Sequence, residues 1–184
     1  MRDESEPWNE SPHLLTRIDN PQDISWLVVF DTFACNYDRY YPRVVAGEIQ
    51  PHRNARNVFL SEDGATGRFR LRVYDHTLCE YALMDAPGGS HWLGKIEDPT
   101  VFGLFPAFKN HLDREQVKSA AAKLGMLDSA TIQAIIGTVP RQWIQSPDTP
   151  TNWGTFISRR AAFVARTIEL RLFPQQELRY DRPR

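Results

Sequence analysis

The residues best able to do chemistry in this chain lie at three places. Asn36, Asp38 and Arg39 close an apolar run in "FDTFACNYDRYYP", Asn57 opens "NVFL", and Asp75 with His76 ends "RVYDH". A hard divalent cation takes oxygen ligands, and Mg²⁺ in particular uses one or two carboxylates together with phosphate oxygens. A second carboxylate can orient an attacking hydroxyl and accept its proton. Two carboxylates and an amide therefore suit phosphoryl transfer.

The surrounding sequence says how these groups would be mounted. "DNPQDISWLVVFDTFACN" (19–36) reads as a helix, opened by Asp19, Asn20 and Pro21 and apolar at Ile24, Leu27, Val28, Phe30, Phe33 and Ala34. "YPRVVAGEIQPHRNAR" (41–56) has Pro42, Gly47 and Pro51 and no sustained period, which predicts an irregular loop. In "NVFLSEDGATGRFRLRVYDH" (57–76), Phe69, Leu71 and Val73 alternate with arginines behind Asp63, Gly64 and Gly67, the pattern of a hairpin. Its outer ends must meet, so Asn57 and Asp75 are expected as neighbours, and Asp38 joins them if the helix packs beside the hairpin. A turn-rich connection (86–99) then leads to three helices, 113–127, 128–139 and 152–173, opened by Asp113, Asp128 and Asn152.

On these motifs, "VVFDTFACNYDR", "RNVFL" and "RVYDHT", the chain resembles the catalytic core of the HipA-like kinases, and more distantly that of the phosphatidylinositol kinases. The family pattern is an apolar helix ending in Asn-x-Asp-Arg, an Asn before a short apolar strand, and an Asp, often followed by His, after the next strand. "WGTFISRRAAFVARTI" resembles the closing helix of that family's helical lobe. The resemblance implies an α+β, mainly helical fold: a protein-kinase-like C-terminal lobe with a catalytic loop and a short β-hairpin. It implies ATP and Mg²⁺ as cofactors, Asp38 as the catalytic aspartate, and Asn36 and Arg39 as braces of its loop. Asn57 and Asp75 become the metal-binding pair on the nucleotide side, with His76 matching the residue after the metal aspartate.

Two departures from the family pattern qualify that expectation. The family's step from Asp-Arg to the metal asparagine is short, whereas residues 40–56 intervene here, which leaves Asn54 as a rival to Asn57; Asn57 abuts "VFL" and is preferred. Residues 1–23 are too few for an ATP-binding first lobe and contain no lysine, so the resemblance implies a partner chain that supplies it. The dense apolar stretch "VFGLFPAF" (101–108) is a candidate surface for that lobe. The alternative function is a non-catalytic, pseudokinase-type interaction module built on the same lobe, or a truncated remnant of such a kinase.

Composition narrows the other classes. The 184 residues are 41% hydrophobic with a net charge of −1, enough for one domain with a core. The expected layout is a flexible tail at 1–12, a single domain at 13–174 and a polar tail at 175–184. Only four of the 22 basic residues are lysine, and the arginines are balanced by acids, so the basic stripe of a nucleic-acid binder is missing. The arginines of "ISRRAAFVARTIELR" read as a solvated helix face.

Cys35 and Cys79 form no CxxC pattern, and Cys35 is expected in the core. The five histidines show no zinc-ligand spacing, although His52 and His76 could approach the site. There is no GxSxG. An acidic start and the lack of any apolar run of roughly 18 residues predict a cytoplasmic protein with no membrane span. Most of the aromatic residues are expected in the core.

Overall fold

The computed structural model describes residues 5–63, 66–74, 94–144 and 146–174. The fold is α+β with two small antiparallel sheets. In chain order it runs β1 (Ser5–Pro7), α1 (Pro12–Leu15), α2 (Gln22–Ala34), β2 (Tyr40–Val45), β3 (Glu48–Arg53), β4 (Val58–Asp63) and β5 (Arg68–Val73), followed by α3 (Arg114–Gly125), α4 (Ser129–Gly137) and α5 (Thr149–Leu172). One sheet has the order β1-β4-β5, and β2 and β3 form a separate ribbon.

Helix α2 is the axis of the molecule. Ile24, Ser25, Leu27, Val28, Val29, Asp31 and Thr32 are all buried, so the helix is covered on more than one face. Ile24, Leu27 and Val28 join Trp8, Leu60, Leu71, Phe105 and Phe108 in one cluster, while Val29 meets Val117, Ala121, Val164 and Ile168 in a second. Helix α2 therefore lies between the sheet and the pair α3 and α5. At its C-terminus Cys35 adopts the left-handed conformation (φ 53°, ψ 49°) and is fully buried, as expected of a core residue. That reversal turns Asn36 back over the helix, where its N–H reaches the carbonyl of Asp31 at 2.9 Å.

The hairpin expected at 57–76 forms as β4 and β5, in register from Val58↔Val73 to Asp63↔Arg68. The outer edge of β5 is covered by the segment before α2. Asp19 N–H bonds the Phe69 carbonyl and Phe69 N–H bonds the Arg17 carbonyl. Asn20 extends this pairing with its side chain, accepting from Leu71 N–H at 2.8 Å and donating to the Leu71 carbonyl at 3.0 Å. An amide side chain thus substitutes for a strand peptide and fixes α2 against the sheet.

Three sequence expectations are corrected here. The segment taken as a flexible tail contributes β1, paired with β4, and Trp8, only 2% exposed and stacked on Phe108. Residues 41–56 are mostly ordered as the ribbon β2–β3 rather than an irregular loop. The two prolines that argued against strands, Pro42 and Pro51, sit opposite each other in a two-stranded ribbon, where missing donors break no wider ladder. Its turn, Ala46-Gly47, has positive φ at both residues (51° and 85°), the mirror-image geometry that two-residue hairpins favour. Ala-Gly carries that geometry without the usual Asn-Gly signature.

The third correction concerns "VFGLFPAF". Phe102, Phe105 and Phe108 are fully buried, so this stretch is core rather than a docking surface. Among the aromatic residues expected inside, Trp143 is instead 66% exposed.

In the helical layer, Asp113 and Asp128 cap α3 and α4 by accepting from Gln116 and Thr131 N–H, as their sequences predict. Helix α5 begins at Thr149, ahead of Asn152, with Pro150 in its first turn. Its arginines are not all solvated. Arg160 is fully buried and donates to the carbonyls of Lys95, Ile96, Asp98 and Thr32, tying α5 and α2 to the segment 95–98. Among the described residues no helix is long and apolar enough to cross a membrane.

Candidate active site

The reversal at Cys35 delivers Asn36, Asp38 and Arg39 to the end of α2 that faces the mouth of the β4–β5 hairpin. Each has a distinct set of partners. Asn36 accepts from Asp38 N–H at 3.1 Å through Oδ1 and donates from Nδ2 to Asp31 Oδ1 at 2.9 Å. Arg39, adjacent to Asp38, turns away from it: Nε donates to Asp31 Oδ2 at 2.7 Å, and Nη1 donates to the carbonyls of Asn57 (2.7 Å) and Tyr74 (3.3 Å). Both Asp31 and Arg39 side chains are fully buried. The Arg39 charge is matched by Asp31.

The Asp38 carboxylate is held instead by amides. Oδ2 accepts from Nδ2 of Asn54 at 3.0 Å and from Nδ2 of Asn57. A carboxylate can only accept, which fixes the amide orientation: both NH₂ groups point at Asp38, and the Oδ1 of each asparagine points elsewhere. His52 lies alongside, with Nε2 at 3.0 Å from the Asp38 backbone carbonyl and 3.8 Å from Oδ1. The Asp38 side chain keeps 16% of its exposure. Asn54 also lines an open surface depression with Trp8, Glu10, Arg53 and Arg56.

The ribbon β2–β3 explains how residues so far apart in sequence meet. Tyr40 pairs with Arg53, and just outside that pair the N–H of Asn54 bonds the carbonyl of Arg39 at 2.8 Å. The ribbon therefore leaves and re-enters the loop at one point. With it set aside, the loop reads Asp38-Arg39-Asn54-Ala55-Arg56-Asn57. Asn54 and Asn57, rivals in the sequence, both reach the same carboxylate oxygen.

The other strand of the hairpin arrives opposite. Tyr74 N–H bonds the Asn57 carbonyl at 3.3 Å, so residue 74 faces Asn57 across the hairpin mouth. Asp75 and His76 lie outside the described residues, as does Cys79. Among the described residues no group of three or more His, Cys, Asp or Glu could hold a metal. A Mg²⁺ shared with phosphates needs no such group, and the Asn57 amide oxygen, turned away from Asp38, is the donor type it takes.

Sequence reasoning missed Asp31 and Gly103. Asp31 stands in an apolar helical run, where a carboxylate requires a buried cation, and Arg39 is that cation. Gly103 (φ 72°) passes directly over Asp31: a Cβ there would collide with the Asp31 carboxylate and lie 2.8 Å from its Cβ. Its N–H bonds the Tyr40 carbonyl at 2.8 Å, at the base of the ribbon.

Behind the site a second polar cluster fixes the segment 95–98. The hydrogen bond that the Lys95 ammonium donates to the Tyr37 oxygen raises Lys95 above its ordinary value, and burial raises the Tyr37 phenol. Burial alone would raise the Asp98 carboxyl, but its bonds from Thr100 and Lys95 outweigh that and lower it. Burial pushes the Cys35 thiol up, which leaves it a poor nucleophile. No family model, curated protein or solved structure matches the chain.

Proposed function

We propose that the chain is the C-terminal lobe of a HipA-like kinase, transferring a phosphoryl group from ATP to a hydroxyl of a protein or small molecule, with the ATP-binding first lobe supplied from outside these 184 residues. The observation that carries this reading is the closure of the ribbon. Without residues 40–53, Asp38 and Asn57 are separated by four residues, the Asp-x-x-x-x-Asn spacing of kinase catalytic loops, and the Asn57 amide is bonded to Asp38.

In this reading Asp38 works on the acceptor. Its Oδ2 is fixed by two amides, and Oδ1 has no direct hydrogen bond among the described residues. It accepts the hydroxyl proton as the acceptor oxygen bonds to the γ-phosphorus and the β–γ bridging bond breaks. When bound with ATP, Mg²⁺ would supply neutralisation of the charge on the phosphates. Asn57, through Oδ1, and Asp75 are the residues of this chain that would hold it. Arg39 acts through backbone, fixing the carbonyls of Asn57 and Tyr74, and Asn36 fixes the Asp38 peptide.

A thermal-shift titration tests the reading. A ligand that binds only the folded state must raise the melting temperature. Mg²⁺ with ATP is expected to do so in the wild type and not in Asp75→Asn. Absence of a shift at millimolar Mg²⁺ and ATP in the wild type, with or without a candidate first lobe, would leave the non-catalytic interaction module as the better reading.

A further inference from the structure

His52 is carried by the ribbon, opposite Tyr41 in β2, and it is the ribbon residue whose side chain reaches Asp38. Its Nε2 lies 3.0 Å from the Asp38 carbonyl oxygen. A carbonyl only accepts, so Nε2 carries the hydrogen and donates it. The imidazole is held in turn by rings: it packs on Tyr41 at 5.8 Å, and Tyr41 packs on Tyr37 at 5.0 Å and on the buried Phe102 at 5.9 Å. The donor is thereby fixed relative to the core rather than to the tip of the ribbon.

Asp38 is then gripped along its whole peptide. Its N–H is bound by Asn36, its carbonyl by His52, and its Oδ2 by Asn54 and Asn57. Fixing both peptide groups of a residue fixes its φ and ψ, and with them the direction of its Cα–Cβ bond, while the asparagine bonds to Oδ2 hold the carboxylate itself.

We propose that His52 is a positioning residue: its Nε2–H holds the Asp38 peptide so that carboxylate Oδ1 meets the acceptor hydroxyl, which makes the base of the inserted ribbon part of the active site. This rests on the reading of Asp38 as the acceptor-side carboxylate. The contact does not require a charged imidazole. It requires a donor at the Nε2 position, which the NH₂ of a glutamine can supply and leucine cannot.

The test uses the full chain in three variants: His52→Leu, His52→Gln, and a shortened ribbon in which residues 42–51 are replaced by Asn-Gly, keeping the Tyr41 and His52 pair. The first readout is the ¹³C resonance of the Asp38 carbonyl, which reports its hydrogen bond without any catalysis. His52→Leu is expected to move it, His52→Gln to return it toward the wild-type position, and the shortened ribbon to leave it in place. The second readout is phosphoryl transfer with Mg²⁺ and ATP. There His52→Leu is expected to lower kcat about tenfold with KM for ATP unchanged, and His52→Gln to restore most of the rate.

The proposal is overturned if His52→Leu leaves the Asp38 resonance unmoved, if glutamine behaves as leucine does, or if the shortened ribbon loses as much as His52→Leu. A wild type that transfers no phosphate, alone or with a candidate first lobe added, while the three resonances behave as expected would overturn the kinase reading and leave the His52 contact standing.

Discussion

Asp31 and Arg39 form an ion pair whose two side chains are fully buried, with Arg39 Nε 2.7 Å from Asp31 Oδ2. The guanidinium also reaches the carbonyls of Asn57 and Tyr74, so one cation joins α2 to both strands of the hairpin mouth. Breaking one side of such a pair leaves a buried charge uncompensated. Asp31→Asn should cost about 3–5 kcal/mol in chemical denaturation. Adding Arg39→Met to that variant should recover part of the loss, because the orphaned charge goes too. A double variant less stable than Asp31→Asn would show that the other contacts of Arg39 outweigh its ion pair with Asp31.

Gly103 makes the close approach to this pair possible. Gly103→Ala combines a left-handed backbone (φ 72°) with a collision against the Asp31 carboxylate, and should cost about 3 kcal/mol. Gly47 is the control. Its φ is also positive (85°), but a Cβ there meets nothing within 4 Å, so Gly47→Ala should cost about 1 kcal/mol. Equal losses at the two positions would contradict the packing of Gly103 on Asp31.

The cluster behind the site predicts a pH dependence. Asp98 accepts from Thr100 N–H at 2.9 Å and from Lys95 Nζ at 3.1 Å, and its carboxyl lies below the ordinary 3.8. A carboxyl lowered by folding adds stability in full above its unfolded value, and that stability disappears as pH falls through the folded value. Asp98→Asn should therefore be less stable than wild type at pH 7, by about 1–2 kcal/mol or a few degrees in Tm. The gap should narrow once the pH drops below 3.8. A gap of constant size down to pH 2 would place its origin in shape rather than charge.

Much of this architecture is legible in the sequence where local chemistry decides it. The β4–β5 hairpin follows from alternation in "RFRLRV", and α3 and α4 begin where Asp113 and Asp128 cap them. The ribbon β2–β3 was hidden because Pro42 and Pro51 signal a loop, and only their cross-strand pairing makes them tolerable. Long-range packing was hidden too. Nothing local distinguishes Arg160, buried on four carbonyls, from its solvated neighbours on α5, or shows that Trp8 and Phe105 meet edge to face at 5.3 Å. For the site, residue types and order singled out Asp38 and Asn57. The partners that set their geometry, Asp31, Asn54 and His52, depend on contacts across 8 to 19 positions, which composition and periodicity do not encode.

The central claim is that the loop closed by the ribbon, Asp38 through Asn57, faces a metal held with nucleotide phosphates. Mn²⁺, a paramagnetic substitute for Mg²⁺, tests it most directly. Titrated into the chain with millimolar ATP, Mn²⁺ should broaden the side-chain amide resonance of Asn57 first. Asn57→Ala should abolish nucleotide-dependent broadening of the Asp38 N–H, whereas Asn54→Ala should retain it. Broadening that starts elsewhere, that does not depend on ATP, or that survives in Asn57→Ala would contradict the account.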